Sequence, residues 1–238
     1  MNHPDLLVLV RHAESERNLA KKGSVFFADD ESRRALRGTP DHRVPLTPTG
    51  HAQAEAAGRF LRERYGRFDA VYDSGYARTR QTAEGVLRAW PDDARPTITH
   101  DLFVRERDAG HAWDMTTSEA EAAFPWLDGY WQTTGPFFAR PPGGESVAQV
   151  CERVQLFLER LGREHTGESV LVVTHGVTLR AFRYLIERWS YDEIEASLRT
   201  KTPRNASVTV YEAHEGRLRL VEYDTVAGGG GDAVTPRA

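Results

Sequence analysis

Cysteine is almost absent from this 238-residue chain, and its apolar runs are short. The single cysteine, Cys151, excludes an internal disulfide and a cluster of thiolate metal ligands. The apolar run Leu6–Val10 is too short to cross a bilayer, and it lacks the basic leader of a signal peptide. These absences predict a soluble, cytoplasmic protein that does not bind membranes.

The chain also lacks an excess of positive charge. Its 31 lysine and arginine residues are outnumbered by 35 aspartate and glutamate residues, which gives a formal net charge of −4. This balance argues against a nucleic-acid binder held by overall electrostatic attraction, although it leaves room for a local basic pocket. The hydrophobic fraction of 39% is ordinary for a globular protein. We predict one domain over residues 1–226 and a disordered, glycine-rich tail over residues 227–238.

Short apolar runs alternate with helical patterns along the chain. The runs Leu6–Val10, Phe68–Asp73 and Ser169–Thr174 indicate buried strands, which favours an α/β fold with a mostly parallel sheet. Sheets of this kind bind ligands at the carboxyl ends of their strands. The other predicted elements are a strand at 97–100, helices at 48–65, 147–165, 179–189 and 191–198, a helix ending near residue 90, and a hairpin of 205–212 with 218–223.

Two segments have no sustained period. Residues 19–44 are polar and basic, which predicts a long loop that is functional or mobile. Residues 112–140 carry seven aromatic residues, four acids and one base, Arg140. This composition predicts a helical insertion or lid, whose aromatic side chains either pack it down or line a pocket. Packing is favoured for most of them.

Histidine follows two of the predicted buried strands. His12 comes after the first strand together with Arg11, His175 comes after the strand at 169–174, and Arg78 lies near a helix N-terminus. Parallel neighbouring strands would bring all four side chains to one rim. A histidine pair could bind a metal, but no third ligand stands at a useful spacing. Two arginines with two histidines suit a phosphate better, because guanidinium groups bind phosphoryl oxygens in bidentate fashion and lower a nearby histidine's pKa.

Six ordered motifs between about residues 7 and 176 resemble those of the histidine phosphatase superfamily, the phosphoglycerate mutase-like proteins with the RHG signature. One departure is Ala13, where the family usually has glycine, a small change that should cost little if φ there is not positive. The motifs are Arg11-His12-Ala13-Glu14 with Asn18, Leu46–Ala54, Ser74 with Arg78–Glu84, Glu106-Arg107 with Gly110, Gly143–Ser146, and Val173–Gly176.

The resemblance implies a three-layer α/β/α fold with a lid over about residues 112–140, and specific roles at the matching positions. His12 would attack phosphorus and form a phosphohistidine, and Glu106 would protonate the leaving oxygen and then activate water. No metal or cofactor would be needed, because cations would stabilise the transferred group. The residues expected to hold the phosphoryl group are Arg11, Arg78, His175, Asn18 and Gly176.

The same machinery serves phosphatases and mutases. The lid has one base, and Arg17 replaces a tryptophan that mutase-like proteins have before Asn18, so we expect a phosphatase for a small phosphomonoester. The alternatives are a phosphoglycerate mutase-type phosphotransferase and a non-catalytic phosphate-binding or interaction protein. The basic residues of the loop would reverse the preference if they folded over the site to bind a second anion; they are Arg33, Arg34, Arg37 and Arg43. The pattern leaves the physiological substrate and the oligomeric state open.

Overall fold

A six-stranded mixed sheet forms the middle of the molecule. The computed structural model describes residues 3–21 and 25–228. Its strands are β1 (Leu6–Arg11), β2 (Ala70–Asp73), β3 (Ile98–His100), β4 (Ser169–Thr174), β5 (Val208–His214) and β6 (Arg217–Thr225). They lie in the order β3-β2-β4-β1-β5-β6. The first four are parallel, whereas β5 and β6 are antiparallel to their neighbours, as expected for a closing hairpin.

Helices cover both faces of this sheet, which confirms the predicted three-layer α/β/α architecture. Side chains of β1 alternate between the two cores, because successive residues of a strand point to opposite faces: Leu7 and Leu9 enter one, Val8 and Val10 the other. The helices are α1 (Glu16–Lys21), α2 (Asp30–Arg33), α3 (Pro48–Tyr65), α4 (Ala77–Leu87), α5 (Thr117–Ala123), α6 (Leu127–Thr134), α7 (Val147–Glu164), α8 (Gly176–Ile186) and α9 (Tyr191–Leu198). Buried residues of α7, α8 and α9 belong to the first core, and those of α3 and α4 to the second.

The ends of the long helices follow their capping residues. Thr47 accepts a hydrogen bond from the Gly50 N–H at the start of α3, and Pro48 occupies the first turn. Gly66 ends that helix with φ +71°, a conformation that glycine adopts without strain. Ser146 and Gln149 cap each other at the start of α7. These predictions are confirmed.

Some predicted boundaries differ from the structure. Helix α8 begins at Gly176, one turn before the predicted residue 179, so that His175 stands at its N-cap position. β2 begins at Ala70, two residues later than predicted, although Phe68 is buried in the core. The region 19–44 contains α2 and two short 3-10 helices besides loop, and 112–140 contains α5 and α6.

The predicted tail over residues 227–238 lies, from residue 229 onward, outside the described residues. Within the ranges 3–21 and 25–228, we find no helix that combines the length and the apolar character needed to traverse a bilayer.

Candidate active site

The carboxyl ends of β1, β2 and β4 meet at one edge of the sheet. His12 follows β1 and His175 follows β4, and both rings are buried. Their centroids lie 5.1 Å apart, with an angle of 61° between the ring planes. The parallel pairing of β1 and β2 with β4 thus brings together the two histidines that follow separate strands.

His12 is neutral and held in one tautomer. Burial, together with nearby Arg78 and Arg11, keeps the pKa of His12 well below its usual value. Its Nδ1 lies 2.8 Å from the main-chain oxygen of Ala13, and a carbonyl oxygen only accepts hydrogen bonds. Nδ1 therefore carries the proton, and Nε2 keeps a lone pair that can act as a base or a nucleophile.

His175 is oriented by a hydroxyl pair. Its Nε2 lies 2.8 Å from Oγ of Ser74, which in turn lies 2.8 Å from Oγ1 of Thr79. Burial, followed by the charge of Arg78, keeps the pKa of His175 well below its usual value. Its Nδ1 is buried without a hydrogen-bond partner among the described residues. Because buried polar atoms are normally paired, this nitrogen is suited to contact a bound group.

Arg78 is buried, with 1% of its surface exposed. Its Nη1 donates to both the main-chain oxygen and Oδ1 of Asp41, at 2.8 and 2.6 Å. The guanidinium carbon lies 4.9 Å from the ring centroid of Tyr76, which packs against His175 in turn. The predicted arginine is therefore at the site, but with a carboxylate beside it that the sequence pattern did not indicate.

Arg11 approaches the site from the end of β1. Its Nη1 donates to the main-chain oxygen of Pro203, and its buried Nε has no partner among the described residues. Burial lowers the pKa of Arg11 to about 10, so its guanidinium is charged at pH 7. A Cβ at Gly176 would overlap the methyl group of Thr202 and lie 3.6 Å from Arg11 Nε. The absence of a side chain at Gly176 lets Thr202 pack against the N-terminus of α8, beside Arg11.

Arg17 is a third cation of the site, which the sequence analysis did not place among its functional residues. Its side chain is 19% exposed, and its Nη1 lies 3.8 Å from Oδ1 of Asp41. The guanidinium carbon lies 4.0 Å from the ring centroid of Trp113. Burial lowers the pKa of Arg17 to about 10. The negative charge of Asp41 is the largest influence in the opposite direction. Arg17 is close enough to His12 to contribute to the low pKa of that histidine.

Glu106 is fixed by the segment that carries it. Thr174 and Thr178 donate through Oγ1 to the main-chain oxygens of Val104 and Arg105, at 2.8 and 2.6 Å. The carboxylate of Glu106 accepts from the N–H of Arg107 at 2.9 Å and from the N–H of Val177 at 3.4 Å. These bonds hold Glu106 beside the N-terminus of α8, near His175.

Asn18 points its side-chain oxygen into the protein. That oxygen accepts from the N–H and the hydroxyl of Ser15, at 3.1 and 2.8 Å, and from Nδ2 of Asn205 at 3.1 Å. Asn205 Nδ2 also lies 3.0 Å from the main-chain oxygen of His12. Asn18 can therefore offer a bound anion only its amide nitrogen.

Other residues of the matched motifs support the loop after β1. Thr82 accepts from the N–H of Ala13 at 3.0 Å and donates to the main-chain oxygen of Arg78 at 2.6 Å. Glu14 accepts from the Thr47 hydroxyl at 2.8 Å. Ala13 is buried and is not among the residues with positive φ, so alanine fits where the family usually has glycine.

The loop over residues 25–44 is fastened to the predicted lid. Arg33 donates to Glu119 of α5 at 2.6 Å and also pairs with Asp30, while Phe27 forms a bridge with Thr116. These ion pairs neutralise Arg33, and the remaining arginines of the loop face solvent. These exposed residues, which we considered as a second anion site, are Arg34, Arg37 and Arg43.

Sequence reasoning missed Asp41 and Asn205 altogether. Neither lies in a matched motif. Asp41 lies in the segment without a sustained period, and Asn205 stands at the start of the predicted hairpin, whose pattern does not show that its side chain reaches His12 and Asn18. A weak signal existed for Arg17, because it stands one residue before Asn18 on the helix that continues from the His12 loop.

Comparisons with known proteins identify a family, relatives in sequence and structures with the same fold. The family model of the histidine phosphatase superfamily (branch 1) matches residues 7–225. A 2,3-bisphosphoglycerate-dependent phosphoglycerate mutase of Rhizobium etli is 32% identical over 223 residues, covering 92% of this chain and 96% of the relative. The phosphoglycerate mutase-like protein AT74 of Arabidopsis thaliana is 30% identical over 230 residues, covering 90% of this chain; the chain spans only 66% of that relative.

A solved structure with the same fold is the mycobacterial glucosyl-3-phosphoglycerate phosphatase in complex with inorganic phosphate. It superposes with a TM-score of 0.71 over 95% of this chain and 100% of that chain, at 21% identity. At this identity, the likeness shows a shared fold.

Proposed function

Because the chain belongs to the histidine phosphatase superfamily, a superfamily of enzymes, we propose that it hydrolyses small phosphomonoesters through a phosphohistidine on His12, without a metal ion. The observation that carries this proposal is the state of His12: a neutral imidazole with its proton on Nδ1 and a lone pair on Nε2, beside buried guanidinium groups.

The reaction proceeds in two transfers. In the first, the lone pair of His12 Nε2 forms a bond to phosphorus while the bond to the leaving oxygen breaks, and Glu106 gives that oxygen a proton. In the second, water attacks the phosphohistidine, Glu106 takes a proton from it, and the electron pair of the broken P–N bond returns to Nε2. Inorganic phosphate is released.

Donors at the site stabilise the phosphoryl oxygens during both transfers. Arg11 and Arg78 supply guanidinium nitrogens, His175 supplies its unpartnered ring nitrogen, and Asn18 its amide nitrogen. The N–H of Gly176, at the start of α8, adds the positive end of a helix dipole. Because these groups are held in place before substrate binds, little reorganisation accompanies the transfer of charge to the oxygens.

A mutase-type phosphotransferase is the second candidate, favoured by the name of the Rhizobium relative and by the extra cations Arg17 and Arg107. Burial lowers the pKa of Arg107, and the negative charge of Glu106 is the largest influence that raises it. However, Asp41 partly neutralises Arg17, and Asp30 and Glu119 pair with Arg33. This pairing leaves less free positive charge for a second phosphate group, so hydrolysis is the function that we favour.

The first test is capture of the intermediate. Wild-type protein is mixed with a monoester labelled on phosphorus and quenched in alkali, in which phosphohistidine survives. We expect alkali-stable label on His12, and its loss together with turnover in His12→Asn. His214→Asn, which removes an exposed histidine, is the matched control. Normal turnover in His12→Asn would end this mechanism, and normal phosphate binding without turnover in the wild type would indicate a binding protein.

A second test separates the two activities. With 3-phosphoglycerate and catalytic 2,3-bisphosphoglycerate, we expect isomerisation to be negligible beside hydrolysis of a good monoester. Isomerisation faster than hydrolysis would assign the chain to the mutases.

A further inference from the structure

One carboxylate stands between two arginines of the site. Oδ1 of Asp41 lies 2.6 Å from Nη1 of Arg78 and 3.8 Å from Nη1 of Arg17. Asp41 opens the short 3-10 helix Asp41–Arg43, whose end returns a hydrogen bond from the Val44 N–H to the Asp41 main-chain oxygen at 3.2 Å. The carboxylate is thus delivered by a small structured turn and not by a freely moving loop end.

A single nitrogen of Arg78 receives both contacts from Asp41. Nη1 donates to the main-chain oxygen at 2.8 Å as well as to the carboxylate. This leaves Nη2 and Nε of the guanidinium plane for other acceptors, and their fixed geometry suits the oxygens of a phosphoryl group.

Charge gives the second part of the argument. Arg78 is 1% exposed, and a buried cation without a counterion is unfavourable. Burial also lowers the pKa of Arg17, and the negative charge of Asp41 is the largest influence that raises it again. One carboxylate therefore stabilises two charged guanidinium groups at the edge of the site.

We propose that Asp41 is a positioning residue for phosphoryl transfer. It binds Nη1 of Arg78 so that Nη2 and Nε face the phosphoryl oxygens, and it holds Arg17 charged against Trp113 through the same oxygen. Asp41 stays in place when substrate binds and does not touch the reacting atoms. This inference rests on the proposed function and extends it to a residue outside the six matched motifs.

The test compares Asp41→Asn with Asp41→Ala. Both variants remove the same charge, but only asparagine retains an oxygen that can accept from Arg78 Nη1, so their ratio isolates the positioning effect. We expect kcat for p-nitrophenyl phosphate, and the affinity for vanadate, to be about 10–100-fold lower in Asp41→Ala than in Asp41→Asn, with a smaller change in KM. Asp30→Ala, which removes a loop acid paired with Arg33, is the control and should match the wild type.

A double-mutant cycle with Arg78→Ala shows whether Asp41 acts through Arg78. We expect Asp41→Ala to cost little further vanadate affinity once Arg78 is absent. Thermal unfolding of each variant separates loss of the fold from loss of positioning, because vanadate affinity is then compared at a temperature at which every variant is folded.

Equal vanadate affinity in Asp41→Asn and Asp41→Ala would overturn the proposal. So would vanadate affinity above that of the wild type in both variants, because Asp41 would then be an internal competitor for the anion. Vanadate binding measured by calorimetry needs no turnover. If the wild-type protein hydrolysed no monoester, the proposed function would fail while the comparison of the variants still tested Asp41.

Discussion

The two buried histidines make the fold sensitive to acid. In the unfolded chain a histidine takes up a proton below about pH 6.5, whereas in the folded protein the pKa values of His12 and His175 are held well below that by burial and by Arg78. Below pH 6.5 the unfolded state therefore binds more protons than the native state. The contribution of the two histidines to the free energy of unfolding is fully present above pH 6.5 and is lost as the pH falls below it.

The size of the loss follows from the linkage relation. Each histidine that stays neutral in the folded protein contributes a slope of about 1.4 kcal/mol per pH unit, so the pair removes about 4 kcal/mol between pH 7.5 and pH 5.0. A typical domain is stable by about 5–15 kcal/mol, and the predicted loss is therefore a large part of the total.

Urea unfolding of the wild type and of His12→Asn, at intervals from pH 7.5 to pH 5.0, measures this effect. The variant should lose stability less steeply, by about 1.4 kcal/mol per pH unit below pH 6.5, because it lacks one of the two groups. His214→Asn removes an exposed histidine and serves as the control. Parallel stability curves for the wild type and His12→Asn over this range would refute the reasoning.

Three further predictions concern chemistry and packing. Glu106→Gln should slow alkyl phosphates by about 10²–10⁴-fold but p-nitrophenyl phosphate much less, because p-nitrophenolate leaves without a proton; equal losses would place the general acid elsewhere, such as at Asp108 or Asp114. Activity should persist in excess EDTA and be strongly inhibited by vanadate; a reversible loss restored by one divalent ion would contradict metal independence. Gly176→Ala should cost about 1–3 kcal/mol of stability in urea unfolding and lower kcat, since its methyl group would meet Thr202; wild-type stability would show that the exposed side chain of Thr202 moves aside.

The sequence predicted best what local chemistry determines. The strand at Ser169–Thr174 and the helix at Tyr191–Leu198 have the predicted limits, and Thr47 and Ser146 cap the helices that they precede. Such elements depend on side-chain period and on hydrogen bonds between residues three apart. The meeting of the two histidines was also predictable, because parallel strands end at the same edge of a sheet.

The charge around the site was not predictable in the same way. Residues 112–140 contain one base, Arg140, yet Arg17 reaches Trp113 of the predicted lid from helix α1. Asp41 contacts Arg78 across 37 residues of sequence, from a segment with no period. Whether a loop arginine faces a ligand, an acid or solvent depends on tertiary contacts that a single sequence does not display.

The position of β1 has a consequence for the synthesis of this protein. Its two neighbours in the sheet, β4 and β5, follow it by more than 150 residues in the sequence. Asn205, which donates a hydrogen bond to the main-chain oxygen of His12, also comes late in the chain. A nascent chain therefore carries His12 and the apolar run Leu6–Val10 for most of translation without the strands that will cover them. Contacts so distant along the chain slow folding and leave apolar segments open to aggregation. Chaperones that shield the emerging N-terminal segment should accordingly raise the yield of folded enzyme, and phosphate binding should arise only after the hairpin of β5 and β6 has been made.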